Sequence, residues 1–106
     1  MHNATKKDVV IVLFPAIDPR VAPKKRPALV LRENGKEDLL LCMMTTVERS
    51  EPEEVFVPAG EANLKKDTYI RTHKMMTVRK SFISGTIGTL SDEVWNTVIT
   101  TIKNWL

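Results

Sequence analysis

The segment ALVLRENGKEDLLLCMMTT, residues 28–46, decides the fold. Residues 28–32 and 37–46 are two mainly apolar runs with the length of β-strands, and they are separated by a short polar stretch. That stretch contains Asn34-Gly35, the pair that a two-residue hairpin turn favours because both of its central positions need a positive φ. The segment therefore predicts two adjacent antiparallel strands joined by a tight turn.

Further strands are predicted on both sides of this hairpin. VVIVLF at 9–14 is a short apolar run rich in β-branched residues. The other candidate strands are EVFVPA at 54–59, TYIR at 68–71 and SFISGTIGTL at 81–90, where Gly85 and Gly88 permit a bend or a bulge.

Only the C-terminal segment SDEVWNTVITTIKNWL, residues 91–106, has the pattern of a helix. Ser91 is a good N-cap, and Asp92 and Glu93 place negative charge at the positive end of the helix dipole. Apolar residues then recur at helical spacing along the segment. We expect this helix to pack against the sheet.

The connections between the predicted strands determine the fold class. They are short or broken by proline, most of all at 15–27, which holds four of the six prolines and is predicted to be a loop. Parallel strands need longer crossovers, usually helical, so the sheet must be antiparallel. The prediction is a mainly β fold in one domain over 1–106, with a small, strongly bent antiparallel sheet or SH3-like barrel and a C-terminal helix.

Composition is typical of a globular protein. Hydrophobic residues make up 42% and charged residues 27% of the chain, which excludes a disordered protein, and no apolar run reaches the length of a membrane span. The first residues lack the apolar core of a signal peptide. We therefore expect a cytoplasmic protein in which the one cysteine, Cys42, is buried and inert.

Two predicted strands are apolar on both faces. VVIVLF at 9–14 and LLLCMM at 39–44 do not alternate as strands with one wet face do. A single helix cannot cover both faces of such a sheet, so we expect a homodimer. The alternative is a thick monomer core with long loops folded over it.

Charge is distributed unevenly along the chain. Residues 20–26 hold four cations and no acid, and residues 65–80 hold six cations and one acid. Residues 48–61, between them, carry five glutamates and one arginine. The two basic segments could form one positive groove for an anion such as RNA. The alternative is that all three segments are ordinary solvated faces.

The chemistry open to this chain is limited. His2 and His73 have no second histidine or cysteine at ligand spacing, and no glycine-rich phosphate loop is present. Arginine, threonine, lysine and histidine can nevertheless cleave RNA through its own 2′-hydroxyl, with a base, cations on the phosphorane and an acid on the leaving oxygen. Such an enzyme needs no metal or other cofactor, and it leaves DNA intact because DNA lacks that hydroxyl.

Three short motifs follow one another along the chain: RPALVL at 26–31, MTT at 44–46 and IGTLSDEV at 87–94. Their order and spacing resemble those of the MazF/PemK-like toxins of type II toxin–antitoxin systems. The resemblance runs from Asp8 to the last helix. It implies an SH3-like barrel, a homodimer and a metal-independent endoribonuclease that cuts single-stranded RNA at short sequences. It also implies a cognate antitoxin, through whose complex alone operator DNA would be bound.

The resemblance assigns roles to individual residues. Arg26 matches the family's catalytic arginine, and Thr45 matches a threonine that binds the scissile phosphate. Arg71 matches the arginine of an Arg-x-Asp pattern in which His73 replaces the aspartate, so His73 is the general base, a phosphate ligand or a structural residue. The remaining expected substrate contacts are Lys24, Lys25, Pro27, Thr46 and Lys74, together with Arg71.

Two other function classes stay open. A non-catalytic RNA-binding barrel needs aromatic platforms on its sheet, and the chain has only six aromatic residues, with both tryptophans in the helix. A toxin of the same fold could instead act on a protein such as DNA gyrase, although the matches at Arg26 and Thr45 argue against it. Cleavage of RNA without divalent metal separates the three classes.

Overall fold

The computed structural model describes residues 4–14, 20, 22 and 24–106, so most of the predicted first loop lies outside the described residues. A C-terminal helix follows six strands, which confirms the mainly β fold. The elements are β1 (Asp8–Phe14), β2 (Lys24–Asn34), β3 (Asp38–Thr45), β4 (Glu54–Val57), β5 (Thr68–Arg79), β6 (Ile83–Thr89) and α1 (Asp92–Trp105), with 3-10 turns at Glu61–Asn63 and Lys80–Phe82.

All six strands form one antiparallel sheet in the order β4-β5-β3-β2-β1-β6. The edge strands β4 and β6 are not paired with each other within the described residues, so the sheet is bent and open and does not close into a barrel. The turn at 61–63 instead reaches β6, where the side-chain amide of Asn63 donates to the carbonyl oxygen of Ile87 at 3.2 Å. Backbone from the β4–β5 connection thus meets the strand at the other edge of the sheet.

Both faces of the central strands are buried within one chain. Val9 and Val10 are neighbours on β1, and each is fully buried in a different apolar cluster. The cluster of Val9 includes Val98 of α1, whereas the cluster of Val10 includes Val30 and Leu41 on the opposite face of the bent sheet. The apolar runs of β1 and β3 therefore do not require a second subunit, and the reason given for a homodimer was wrong.

β2 begins earlier than predicted. It starts at Lys24 and pairs with β1 along its whole basic run, including Arg26 opposite Val12. Arg26 is therefore part of the strand rather than the end of a loop. Pro27 has no amide hydrogen, and the pairing of β2 with β3 stops at the next residue, Ala28.

The hairpin turn also differs from the prediction. Asn34 pairs with Asp38, so three residues, 35–37, connect β2 to β3. Gly35 has a φ of 69°, and Asn34 is not among the residues with positive φ. The glycine serves the turn as expected, but the two-residue turn with two positive φ angles was wrong.

β5 is the strand that departs furthest from the sequence pattern. It was predicted to cover 68–71 and continues to Arg79. Met43 pairs with Arg71 and the preceding Cys42 pairs with Met75, so residues 72–74 form a bulge of three extra residues. A bulge of this kind bends the strand and redirects its side chains.

The helix forms as its sequence predicts. The Ser91 hydroxyl accepts a hydrogen bond from the backbone N–H of Val94, and Asp92 forms an ion pair with Lys7. At the other end, Trp105 Nε1 donates to the Thr72 hydroxyl at 2.9 Å, which joins the helix to the β5 bulge. No helix in the described part of the chain is long and apolar enough to cross a membrane.

Replacing Gly88 by alanine should destabilise the protein. A Cβ there would lie 2.4 Å from the carbonyl oxygen of Ala62, a backbone atom that cannot move aside as a side chain can. We expect a loss of about 1–3 kcal/mol in the free energy of unfolding, measured in urea. Gly85→Ala is the matched control on the same strand, because a Cβ there meets nothing within 4 Å. Equal unfolding midpoints for the two variants would contradict the close packing of the 61–63 turn on β6.

Candidate functional site

Arg26 and Thr45 lie on neighbouring strands at the same end of the sheet. The pairing of β2 with β3 ends at Ala28 and Met43, and Arg26 and Thr45 are each two residues beyond this last pair. Side chains two residues apart on a strand share a face, so Arg26 and Thr45 continue the face of Ala28 and Met43. Arg26 is exposed and makes no ion pair or hydrogen bond with another described residue, so its guanidinium is available to a ligand.

The hydroxyl of Thr45 is oriented by its own loop. Its oxygen accepts a hydrogen bond from the backbone N–H of Val47 at 3.1 Å, and its hydrogen remains free to donate to an anion. Thr46 is exposed at the bend that follows, and its hydroxyl has no hydrogen bond within the described residues. The sequence could not distinguish the two threonines, whereas the geometry favours Thr45 as the positioned donor.

Arg71 and His73 share a carboxylate. Arg71 Nη2 lies 3.1 Å from one oxygen of Glu51, and His73 Nε2 lies 2.9 Å from the other. Arg71 Nε also lies 3.3 Å from Glu54, whose side chain is only 4% exposed. The acidic segment therefore lies against Arg71 and His73 of the second basic segment, which argues against the single positive groove that the charge pattern left possible.

The ion-pair contact with Glu51 indicates which ring nitrogen of His73 carries the hydrogen. Because a carboxylate offers no hydrogen of its own, we assign the hydrogen to Nε2. Nδ1 is buried and has no hydrogen-bond partner among the described residues. In the neutral ring Nδ1 carries a lone pair, which is the property that a general base needs.

The predicted site residues form two neighbouring groups. Arg26 and Thr45 make one group, and Arg71 and His73 make the other, with Tyr69 between them because it pairs with Thr45 and precedes Arg71 on β5. His73 makes no hydrogen bond or ion pair with Arg26 or Thr45, all of which are described. Of the other expected substrate contacts, Lys24, Lys25 and Lys74 are exposed, and Pro27 is half-buried.

One possible set of metal ligands was missed in the sequence. Glu51, Glu53 and His73 each offer a ligand atom, and these atoms lie within 4.8 Å of one another. The spacing along the chain gives no sign of this set, because the two glutamates come from the loop before β4. The Arg71 guanidinium on Glu51 already supplies positive charge there and opposes a second cation.

Tyr69 forms a hydrogen bond and a ring contact on the sheet. Desolvation and the carboxylate of Glu48 raise the pKa of Tyr69, whose hydroxyl donates to Glu48 at 3.3 Å. Tyr69 also contacts the ring of Phe56, so the sheet does carry an aromatic pair that the sequence did not reveal.

Burial raises the pKa of Cys42 to about 12, which excludes this buried thiol as a nucleophile at neutral pH, as predicted.

Comparison with known families gives a match over nearly the whole chain. The family model described as PemK-like, MazF-like toxin of type II toxin-antitoxin system matches residues 5–106. No curated protein sequence matches the chain.

Several solved structures share the fold. The chain is similar to the MazE-MazF complex (Form-II) from Deinococcus radiodurans, with 18% identity, a TM-score of 0.83, and coverage of 99% of this chain and 96% of that chain. It is also similar to an endoribonuclease in complex with its cognate antitoxin from a mycobacterial species, with 15% identity, a TM-score of 0.76, and coverage of 95% and 92%. A third similar structure is the Mycobacterium tuberculosis toxin MazF-mt6, with 20% identity, a TM-score of 0.71, and coverage of 90% and 93%.

Proposed function

The chain belongs to the PemK-like, MazF-like toxin family of type II toxin–antitoxin systems, and we propose that it is an endoribonuclease that cuts single-stranded RNA at short sequences without a metal ion. One observation carries this proposal: an unengaged arginine and a threonine whose hydroxyl hydrogen is free lie at the same end of neighbouring strands, each two residues beyond the last pair of those strands. Together they present one positive charge and two kinds of hydrogen-bond donor at one end of the sheet, which suits a phosphodiester. The name of the similar mycobacterial endoribonuclease supports the same activity.

The proposed reaction is an internal transfer at phosphorus. A base takes the proton of the 2′-hydroxyl, the 2′ oxygen bonds to the adjacent phosphorus, and the bond to the 5′ oxygen breaks as that oxygen gains a proton. Arg26 stabilises the phosphorane, where negative charge is greatest, and Thr45 donates to one of its oxygens. The products are a 2′,3′-cyclic phosphate and a 5′-hydroxyl.

His73 is the proposed base. Glu51 contacts its Nε2, and Nδ1 is left with the lone pair; because Nδ1 is buried, bound RNA must uncover it before it takes the 2′ proton. Because His73 does not contact Arg26 or Thr45, the RNA must bridge the two groups of the site. Arg71, which belongs to the same group as His73 on β5, is the proposed contact for a flanking phosphate.

The proposed partners follow from family membership and charge. The first is a cognate antitoxin whose acidic and apolar segment competes with RNA for Lys24, Lys25 and Arg26, and the antitoxin complexes among the similar structures support this partner. The second is another copy of the chain, forming a homodimer in the cytoplasm. Operator DNA is reached only through the antitoxin complex.

A non-catalytic RNA-binding protein is the second candidate, and the Phe56–Tyr69 pair on the sheet favours it. Nothing in the described residues favours an action on a protein such as DNA gyrase.

The purified protein should cut single-stranded RNA in EDTA and leave single-stranded DNA intact. Replacing the attacking 2′-hydroxyl of a mapped site by hydrogen should abolish that cut, because no internal nucleophile remains. Gel mapping of the fragments and their ends measures both effects. EDTA is decisive because Glu51, Glu53 and His73 could otherwise bind a metal ion. Cleavage that stops in EDTA and returns with a divalent cation would contradict the metal-independent mechanism, and binding without cleavage would favour the second candidate.

Arg26→Ala should lower the rate of the chemical step by about two to three orders of magnitude, because it removes charge that acts mainly on the transition state. Thr45→Val keeps the β-branched shape and should lose activity without losing stability. Single-turnover cleavage and urea unfolding measure the two quantities. Arg32→Ala is the matched control, since Arg32 is an exposed arginine near the other end of β2. A similar loss in Arg32→Ala would show that total charge, not the position of Arg26, supports cleavage.

His73→Asn should slow cleavage by about two orders of magnitude and flatten the acidic limb of the pH–rate profile, because the group that must be unprotonated is gone. Glu51→Gln should retain most activity, since its carbonyl oxygen still accepts from His73 Nε2, whereas Glu51→Leu should not. Cleavage rates across pH measure all three variants, with circular dichroism as the control for folding. An unchanged pH profile in His73→Asn would assign His73 a structural role.

A further inference from the structure

Two aromatic rings are in contact on the face of the sheet that carries Thr45. Phe56 of β4 pairs with Tyr69 of β5, and their ring centroids are 5.5 Å apart with an angle of 50° between the planes. Phe56 is 51% exposed, which leaves half of a large apolar side chain in water. An exposed ring supported by a second ring on a sheet is the arrangement on which nucleobases stack.

The two rings extend the row of residues that forms the proposed phosphate site. Thr45 pairs with Tyr69, and Tyr69 pairs with Phe56, so the three side chains lie side by side across β3, β5 and β4. Neighbouring strands are about 4.8 Å apart, which places Phe56 about 10 Å from Thr45. The base of a nucleotide flanking the phosphate at Arg26 and Thr45 can span this distance.

The charge around the rings favours a base over a phosphate. Glu48 accepts the hydrogen bond of the Tyr69 hydroxyl. Its carboxylate repels a phosphate, but a carboxylate accepts hydrogen bonds from the amino groups of bases. Lys65 and Lys66 are exposed in the segment that leads into β5, where they can meet the flanking backbone.

We propose that the Phe56–Tyr69 pair is a stacking subsite for one nucleobase of the bound RNA, next to the phosphate at Arg26 and Thr45. This subsite rests on the proposed function, because its ligand is a base of the same strand. It adds a sequence-tolerant contact beyond the scissile phosphate, since every base has a face that can stack.

The test is an abasic scan of binding to a short single-stranded DNA, which keeps the bases and cannot be cleaved through a 2′-hydroxyl. One abasic site is moved along the strand, and binding is measured by fluorescence anisotropy at constant salt. In the wild-type protein, one abasic position should weaken binding about tenfold. The Phe56→Leu variant should bind the strand without an abasic site about tenfold more weakly than the wild-type protein does. An abasic site at the sensitive position should then weaken binding to this variant no further.

Phe82→Leu is the matched control, because Phe82 is a 40% exposed ring in the turn before β6. It lines a separate apolar groove of about 270 Å³ with Val12, Phe14 and Met76. This variant should keep the wild-type affinity and the wild-type abasic pattern. Tyr69→Leu should behave as Phe56→Leu does, and urea unfolding of all variants controls for loss of the fold.

The possible outcomes separate the subsite from the enzyme activity. Two results overturn the stacking subsite even if RNA is cut. In the first, no abasic position weakens binding to the wild-type protein; in the second, the Phe56→Leu variant still shows the sensitive position. A lower molar mass of Phe56→Leu in light scattering, with DNA binding unchanged, identifies the rings as a protein interface and also overturns it. A wild-type protein that shows the sensitive position but cuts no RNA refutes the proposed cleavage and supports the stacking subsite of a binding protein.

Discussion

The bulge in β5 is the constraint on which the candidate site depends. Cys42 and Met43 are consecutive on β3, but their partners on β5 are separated by three extra residues, 72–74, which take no part in the regular strand pairing. Thr72 is fully buried there, and its hydroxyl donates to the carbonyl oxygen of Glu53 at 2.6 Å while accepting from Trp105 at 2.9 Å. Because a buried hydroxyl without partners is costly, these bonds fix the bulge in one arrangement. The last turn of the helix thus supports the strand segment from which His73 projects.

The same region shows why charge counts along the sequence were misleading. The sequence left open a single positive groove made by the two basic segments, with ordinary solvated faces as the alternative, and it did not show where the acidic segment between them lies. Its glutamates instead engage β5: Glu48 binds Tyr69, and Glu51 and Glu54 bind Arg71. The first basic segment keeps its exposed cations at the start of β2. The glutamates therefore engage Arg71 in the second basic segment, whereas Lys65, Lys66 and Lys74 of that segment stay exposed like the cations at the start of β2.

Local signals in the sequence predicted the elements that depend on local physics. The helix follows from its N-cap and its spacing of apolar residues, and β1 and β3 follow from unbroken apolar runs. β5 could not be followed beyond Arg71 because the bulge interrupts its alternation, and the start of β2 was missed because its first three residues are cationic. The contact of Phe56 with Tyr69 depends on the register between two strands, and neither residue carries a sign of it. Arg26 and Thr45 were found through family resemblance, and their proximity depends on strand register in the same way.

Two carboxylates bind Arg71, and their burial gives them different roles. The side chain of Glu54 is 4% exposed and that of Glu51 is 37% exposed. An ion pair open to water contributes only about 0–1 kcal/mol, so the contact of Arg71 with Glu51 adds little to the stability of the fold. Removing the buried Glu54 would leave Arg71 without its internal partner, which is far more costly. The buried Glu54 is therefore the partner on which the placement of Arg71 in the fold depends more, through an ion pair rather than a hydrogen bond. Glu51 also contacts His73 Nε2, so Arg71 and the proposed base are linked through one carboxylate.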